Sequence, residues 1–294
     1  MINSTMKQAE YYGRGLNSRR RRFLRHMVRE RGALLALSFL LIVMCGALLA
    51  PWIAPFEPYG IDLQQRLEPP CVMNWLGTDE QGRDIFSRIL FGIRLTLLTG
   101  FLGTFCGGMI GIPIGIIAAF YRRSEGPLMR LMDVLLSFPS ILLGLAIGGV
   151  AGPGTRTVIA AVSVATIAPT ARIARSSATT VVHQDYVMSG FAAGLSEPML
   201  IWRYVFRNCV SPIVVYMTLR LGQVILLGSS LSFLGLGAPP PTAELGTMAS
   251  MGREFLFFAP HVALIPTFVI FAIVLAFNLF GDSLRDILDP RLQT

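Results

Sequence analysis

The sequence predicts an all-α membrane protein with six transmembrane helices, and three observations carry that expectation. Of its 294 residues, 53% are hydrophobic and only 14% are charged, a balance too apolar for a soluble chain of this length. Uncharged runs cover 32–56, 95–121, 134–155 and 255–281, each meeting the roughly 20 residues needed to cross a hydrocarbon core of about 30 Å. Basic residues alternate with those runs in the way that the positive-inside bias demands.

The N-terminal segment, 1–32, holds nine Lys or Arg against two acids, with Arg19, Arg20, Arg21 and Arg22 in a row. It is expected in the cytoplasm. The first span occupies 33–55. Its apolar run ends in Pro51-Trp52-Ile53-Ala54-Pro55 rather than a small-x-small cleavage site, so it reads as a retained span. An extracytoplasmic loop follows over 56–92; residues 55–92 contain six acids and three arginines. Within it, Thr78 and Gln81 have the spacing of a capping box, with Asp79, Glu80 and Asp84 as the solvated first turn of a surface helix.

Five further spans are expected over 93–281. The fourth and fifth spans, 157–182 and 209–237, carry Arg172 with Arg175 and Arg220 respectively; arginine is tolerated there near a span end or facing the bundle interior. Six spans place both termini inside, the tail 282–294 included. Glycines mark the packing faces: Gly103, Gly107, Gly111 and Gly115 recur every fourth residue, as do Gly144, Gly148 and Gly152. Such spacing gives a helix a groove for close backbone approach. Static packing and a sliding interface predict the same pattern.

Between the fourth and fifth spans, 185–207 is polar and interrupted. It reads as a short helix, a turn at Gly194, and a restart at Ser196-Glu197-Pro198 that runs amphipathically into the next span. This is a helix-turn-helix knob on the cytoplasmic membrane surface, suited to a partner's groove.

Chemistry on this chain is not indicated. His26, His183 and His261 are scattered, and no phosphate loop, metalloprotease motif or nucleophile elbow is present. Cys45, Cys71, Cys106 and Cys209 have no disulfide or zinc spacing and read as packing residues. Asp133, three residues after Arg130, reads as an i,i+3 surface pair rather than an ion site. The net charge of +8 is concentrated at the N-terminus, where topology and anionic lipid, not nucleic acid, account for it.

Three blocks resemble the C-type inner-membrane permease subunits of bacterial ABC importers for dipeptides, oligopeptides and nickel-type solutes. They are Trp75-Leu76-Gly77-Thr78-Asp79-Glu80-Gln81-Gly82-Arg83-Asp84-Ile85-Phe86-Ser87-Arg88, then Ser232-Phe233-Leu234-Gly235-Leu236-Gly237-Ala238-Pro239-Pro240-Pro241-Thr242, then 276–286 with Leu288-Asp289-Pro290-Arg291. The resemblance covers nearly the whole chain from residue 33.

It implies a type I permease bundle forming half of a translocation pathway, with 185–207 as the coupling loop that meets the ATPase. That loop in the family reads Glu-Ala-Ala, three residues, Gly, nine residues, an aliphatic position, one residue, then Leu-Pro. Here Met188 replaces the acid, Ser189 and Gly190 the two alanines, and Tyr204, Phe206 and Arg207 the closing positions, while Gly194 is kept. Tyr186 and Ser196 complete the expected coupling surface. Implied partners are a B-type permease, two cytoplasmic ATPases carrying ATP and magnesium, an extracytoplasmic solute-binding protein and membrane lipid. No cofactor is expected on this chain. The alternative is an ion-coupled secondary transporter not driven by ATP, which needs mid-membrane carboxylates that the spans do not clearly supply.

Reporters fused after Arg123, His183 and Thr294 are expected to signal from the cytoplasm, and those at Glu68 and Thr242 from outside. An external signal at His183 would remove both the six-span arrangement and the loop assignment.

Overall fold

The computed structural model describes residues 31–288; the basic segment through Glu30 and the tail from Asp289 onward, with Pro290 and Arg291, lie outside the described residues. In order, the helices are α1 (Arg31–Leu48), α2 (Ile85–Phe120), α3 (Arg122–Ser137), α4 (Ser140–Ala151), α5 (Thr155–Val182), α6 (Asp185–Ala192), α7 (Glu197–Leu236), α8 (Leu245–Gly252) and α9 (His261–Leu288). A single helical turn, Ala50–Ile53, follows α1. Helices α2, α5, α7 and α9 are each long and apolar enough to cross a membrane. The pair α3–α4 passes only jointly and is bent by 87°, and α1 is apolar but shorter.

That bend corrects the expected straight span over 134–155. Pro139 cannot donate a helical hydrogen bond and forces Phe138 out of the helical region, to φ −90° and ψ 131°. Gly152 is likewise not part of a glycine face. It ends α4 at φ 78°, and a Cβ there would meet nothing within 4 Å.

Two span boundaries also move. Helix α2 begins at Ile85, inside the expected outer loop, because Asp84 caps it by accepting from Ser87 N at 2.8 Å. Thr78 makes no capping box with Gln81; its hydroxyl donates to the Gln65 carbonyl and accepts from Glu68 N at 2.9 Å. Helix α9 begins at His261 and runs on through Asp282, Arg285 and Asp286, so the tail expected from 282 starts as helix.

Glycine contacts fix the helix directions. A Cβ on Gly103 would strike Val162, one on Gly107 Ser163 and Thr166, one on Gly111 Ile167 and Thr170, and one on Gly115 Ala171 and Ala174. These contacts advance together, so α2 and α5 are parallel. Gly100 meets Ile225 whereas Gly108 meets Met217, so α7 is antiparallel to α2. Gly222 faces Asn278 and Gly281 faces Leu219, which makes α9 antiparallel to α7. Gly144 and Gly148 pack against Leu231 and Leu236, aligning α4 with α7.

The α2–α5 seam is a backbone contact: carbonyl oxygens of Ser163 and Ile167 lie 2.6 Å from where Cβ atoms on Gly107 and Gly111 would stand. Only glycine admits that approach. Beside the seam, the expected Arg130–Asp133 pair is replaced by contacts between helices. Asp133 pairs with Arg172 and Glu125 with Arg175, tying α3 along α5. Both pairs are substantially exposed and therefore orient α3 more than they stabilise it.

At the opposite end the loop between α1 and α2 is held by buried charges. The expected solvated turn is in fact interior: Asp79, Arg83, Asp84 and Arg88 are each at most 4% exposed. Asp79 is the hub. One carboxylate oxygen accepts from Gln81 N and Arg83 N at 2.9 and 3.0 Å; the other lies 2.7 Å from Arg83 Nε and 3.2 Å from Arg88 Nε. Arg83 also reaches Glu80 at 2.7 Å. Arg88 donates to the carbonyls of Pro58 and Pro241 at 2.9 and 3.3 Å, joining this loop to the one after α7. Glu244 in that second loop caps α8 through Thr247, and burial raises its pKa. Below the loops, Ile85, Ile89, Ile93, Ile225, Leu245, Met248 and Ile273 form the largest apolar core.

Gly111→Leu is expected to lower the yield of folded protein and cost about 1–3 kcal/mol or more. Gly149→Leu on α4, where a Cβ meets nothing within 4 Å, serves as the tolerated control; equal thermal stability of the two variants in detergent would remove the seam.

Asp79→Ala leaves Arg88 with no acid within ion-pair distance among the described residues and Arg83 with Glu80 alone, and is expected to cost about 3–5 kcal/mol. Glu80 differs, because burial and then the neighbouring Asp79 carboxylate raise its pKa above the ordinary value. A raised carboxyl disfavours ionisation in the fold, so its penalty is absent at low pH and grows as pH rises through the carboxylate range. Glu80→Gln is therefore expected to match the wild type in acid and exceed it at neutral pH. Melting curves across that range check the sign.

Candidate functional site

The knob between α5 and α7 is built around a glycine elbow. Helix α6 is capped by Ala193, which is followed by Gly194 at φ 75°. Leu195 N donates to the Gly190 carbonyl at 3.1 Å and Gly194 N to the Phe191 carbonyl at 3.0 Å. That double closure is a Schellman motif, which places a left-handed residue after the helix. Its apolar contact is present too, since Leu195 and Leu200 close over Gly190. Ser196 then precedes α7 with no side-chain cap, and Pro198 sits in the first turn, where its missing N–H is harmless.

The sequence-derived coupling residues divide into two sets. Tyr186, Met188, Ser189, Gly194, Ser196 and Arg207 are exposed on the knob. Gly190 is buried, and Tyr204 and Phe206 are half-buried. Tyr204 stacks on Tyr186 with ring centroids 6.3 Å apart, and Phe206 on Trp202 at 4.9 Å. Both closing positions thus make aromatic contacts within the knob. Ile201–Phe206 forms a π-helical turn at the knob–α7 junction, a local widening often found at functional positions.

The residues that fasten the knob to the bundle were not singled out by the sequence. Tyr121, which ends α2, donates to the Glu197 carboxylate at 2.9 Å, and this bond raises the phenol's pKa. Phe120 stacks on Phe191 at 5.7 Å. An aromatic pair ending an apolar run was the available signal. Val187, Leu200 and Val205 are fully buried beneath, and Val205 packs with Ile116 of α2, Ala174 and Ala178 of α5, and Cys209 and Ile213 of α7. Apolar side chains nonetheless remain outside: Met188 is 60% exposed and Trp202 70%, with Tyr186, Phe191 and Met199 each more than 40% exposed.

A second polar feature lies between α7 and α9. An open cleft of about 460 Å³ is lined by Tyr216, Leu219, Arg220, Gln223, Asn278 and Asp282. Among the described residues no group of His, Cys, Asp or Glu is arranged to hold a metal ion.

Comparison with known proteins places this geometry. Residues 111–294 match the binding-protein-dependent transport system inner membrane component family, and residues 18–70 match the N-terminal transmembrane domain of oligopeptide transport permease C. A putative peptide transport system permease protein of Brucella suis is 40% identical over 269 residues, 92% of this chain and 91% of that one. The glutathione transport system permease protein of Pectobacterium atrosepticum is 39% identical over 276 residues, 93% and 92% of the two chains. An inward-facing MetNI methionine ABC transporter shares the fold, with TM-score 0.56 and 16% identity over 68% of this chain and 96% of the other. An amino acid ABC transporter does so with TM-score 0.54 and 16% identity, over 67% and 92%. The chain thus belongs to the family of binding-protein-dependent transport system inner membrane components, as a permease subunit with the fold of the ABC importers.

Proposed function

We propose that this chain is the C-type permease of a bacterial ABC importer for dipeptides, oligopeptides or a related small solute such as glutathione. It forms half of the pathway beside a different, B-type permease. The knob over 185–207 seats in a cytoplasmic ATPase, so that ATP-driven closure of the ATPase pair moves α5 and α7. ATP and magnesium reside on those partners. The opposite loops, tied together by Arg88, receive solute from an extracytoplasmic binding protein. Both termini are cytoplasmic and six crossings result, counting α1 and the bent α3–α4 pair; the alternating helix directions support that count.

The observation that carries the reading is the knob itself. Its exposed apolar side chains stand on a glycine elbow that is bonded to the end of α2 by Tyr121–Glu197 and packed there by Phe120–Phe191. Force on such a knob passes into α2 as well as α7. Met188 supplies a soft apolar contact where the family has an acid, which fits an ATPase groove that relies on packing more than on charge.

Gly194→Val tests it. No neighbour obstructs a side chain there, so the whole effect is backbone strain at φ 75°, of order 1–3 kcal/mol for a β-branched residue. The variant is expected to insert and to bind its partner permease, while solute-stimulated ATP hydrolysis and uptake fall together. Full stimulation of the reconstituted variant complex, with binding protein and solute present, would move coupling away from this knob.

A further inference from the structure

The cleft between α7 and α9 contains a guanidinium that makes no ion pair within the described residues. Arg220 lies 23 residues beyond Glu197 and 16 before Leu236 on α7, about 34 and 24 Å from those ends at roughly 1.5 Å per residue. It is therefore near the middle of the span. Its Nη1 donates to Gln223 Oε1 at 2.6 Å, its Nη2 only distantly to the Ala165 carbonyl at 3.5 Å, and its Nε is buried with no partner. Among the described residues no acid is within ion-pair distance of it. Arg172 and Arg175, by contrast, are each paired with an acid on α3.

A guanidinium at mid-depth needs an anion, a protein dipole or a water-filled cavity. Neutral amides supply only part of that here. The surrounding walls are polar on both helices, with Gln223 and Tyr216 on α7 and Asn278 and Asp282 on α9. Lipid tails cannot solvate such a surface. A tightly packed protein interface would have to fill the whole 460 Å³ with complementary groups, whereas a pocket of that size suits a small solute. The Leu219–Gly281 contact keeps Asp282 within about a turn of Arg220 along the paired helices.

We propose that this cleft is the chain's wall of the solute pathway. Arg220 recognises an ionised carboxylate there, and Asp282 faces a cationic group of the same solute, so that the class accepted is a small zwitterion with a free carboxylate. Guanidinium suits this task because its planar fork pairs with a carboxylate through two hydrogen bonds. Gln223 is a positioning residue, since its amide oxygen holds the guanidinium toward the cleft. The inference rests on the permease reading.

The test uses the full complex of both permeases and the ATPases in lipid nanodiscs, open on both faces. In this chain Cys45, Cys71, Cys106 and Cys209 are replaced by alanine and Tyr216→Cys, which lines the cleft one turn from Arg220, is introduced. The probes are an anionic sulfonatoethyl and a cationic aminoethyl methanethiosulfonate, each normalised to its rate with a free thiol and read as added mass on this chain. Cys labelling is expected to change several-fold between nucleotide-free and vanadate-trapped complexes. The anionic probe should react about tenfold faster than the cationic one. That preference should fall toward unity with Arg220→Gln and persist with Arg220→Lys. A thiol unreactive in both states would mean that the cleft is sealed by the partner permease or by lipid, and would overturn the proposal. Reactivity indifferent to Arg220 would overturn carboxylate recognition. Loss of the ATPases from the purified complex, or failure to trap vanadate, would instead strike at the permease reading itself.

Discussion

The backbone contact between α2 and α5 is the constraint on which the arrangement depends. Gly107, Gly111 and Gly115 let carbonyl groups of α5 approach a neighbouring helix more closely than any side chain permits. In lipid there is no hydrophobic force to press helices together, so such van der Waals fit is a principal source of association. Because the two helices are parallel, the chain between them must return across the bundle. Helices α3 and α4 do this with a sharp bend at Pro139, and α3 is clasped to α5 by its acids.

That parallel pairing also decides where the knob can be. Helices α2 and α5 finish at the same end, so Phe120 and Tyr121 stand beside Phe191 and Glu197 although far away in sequence. The elbow at Gly194 turns α6 back toward α7, and the π-helical turn over Ile201–Phe206 precedes the apolar part of that helix. The knob therefore adjoins the ends of α2, α5 and α7 together. Helix α7 runs from there past Arg220 to the loops that Arg88 joins at the other end.

Those loops lie over the largest apolar core, but they are joined to each other by charge. Buried ionic groups contribute little net stability because desolvation offsets attraction, but removing one partner strands the others. Asp79 answers both Arg83 and Arg88, so the geometry of the loop after α1 and that of the loop after α7 depend on a single carboxylate. The cluster is thus better suited to fixing a particular arrangement than to adding stability.

What the sequence by itself determined was the membrane class, the apolar spans of α2, α5, α7 and α9, and the elbow at 185–207. These depend on local properties: apolar length, the spacing of Gly103 to Gly115, and a turn of Gly194 followed by Ser196, Glu197 and Pro198. The environment of the expected coupling positions was only partly legible, since Tyr204 and Phe206 look like exposed aromatics in sequence yet are half-buried and stacked within the knob. Tertiary structure alone decided the break at Phe138–Pro139, the capping of α2 by Asp84, and the pairing of Asp133 with Arg172 instead of Arg130. It also decided that Asp79 and Arg83 are interior and that, among the described residues, Arg220 has no acid within ion-pair distance. The physical reason is common to all of these. A charge or a proline constrains its own neighbourhood, but which distant group answers it depends on helix directions and register, and these were set by glycine contacts between segments far apart in the chain.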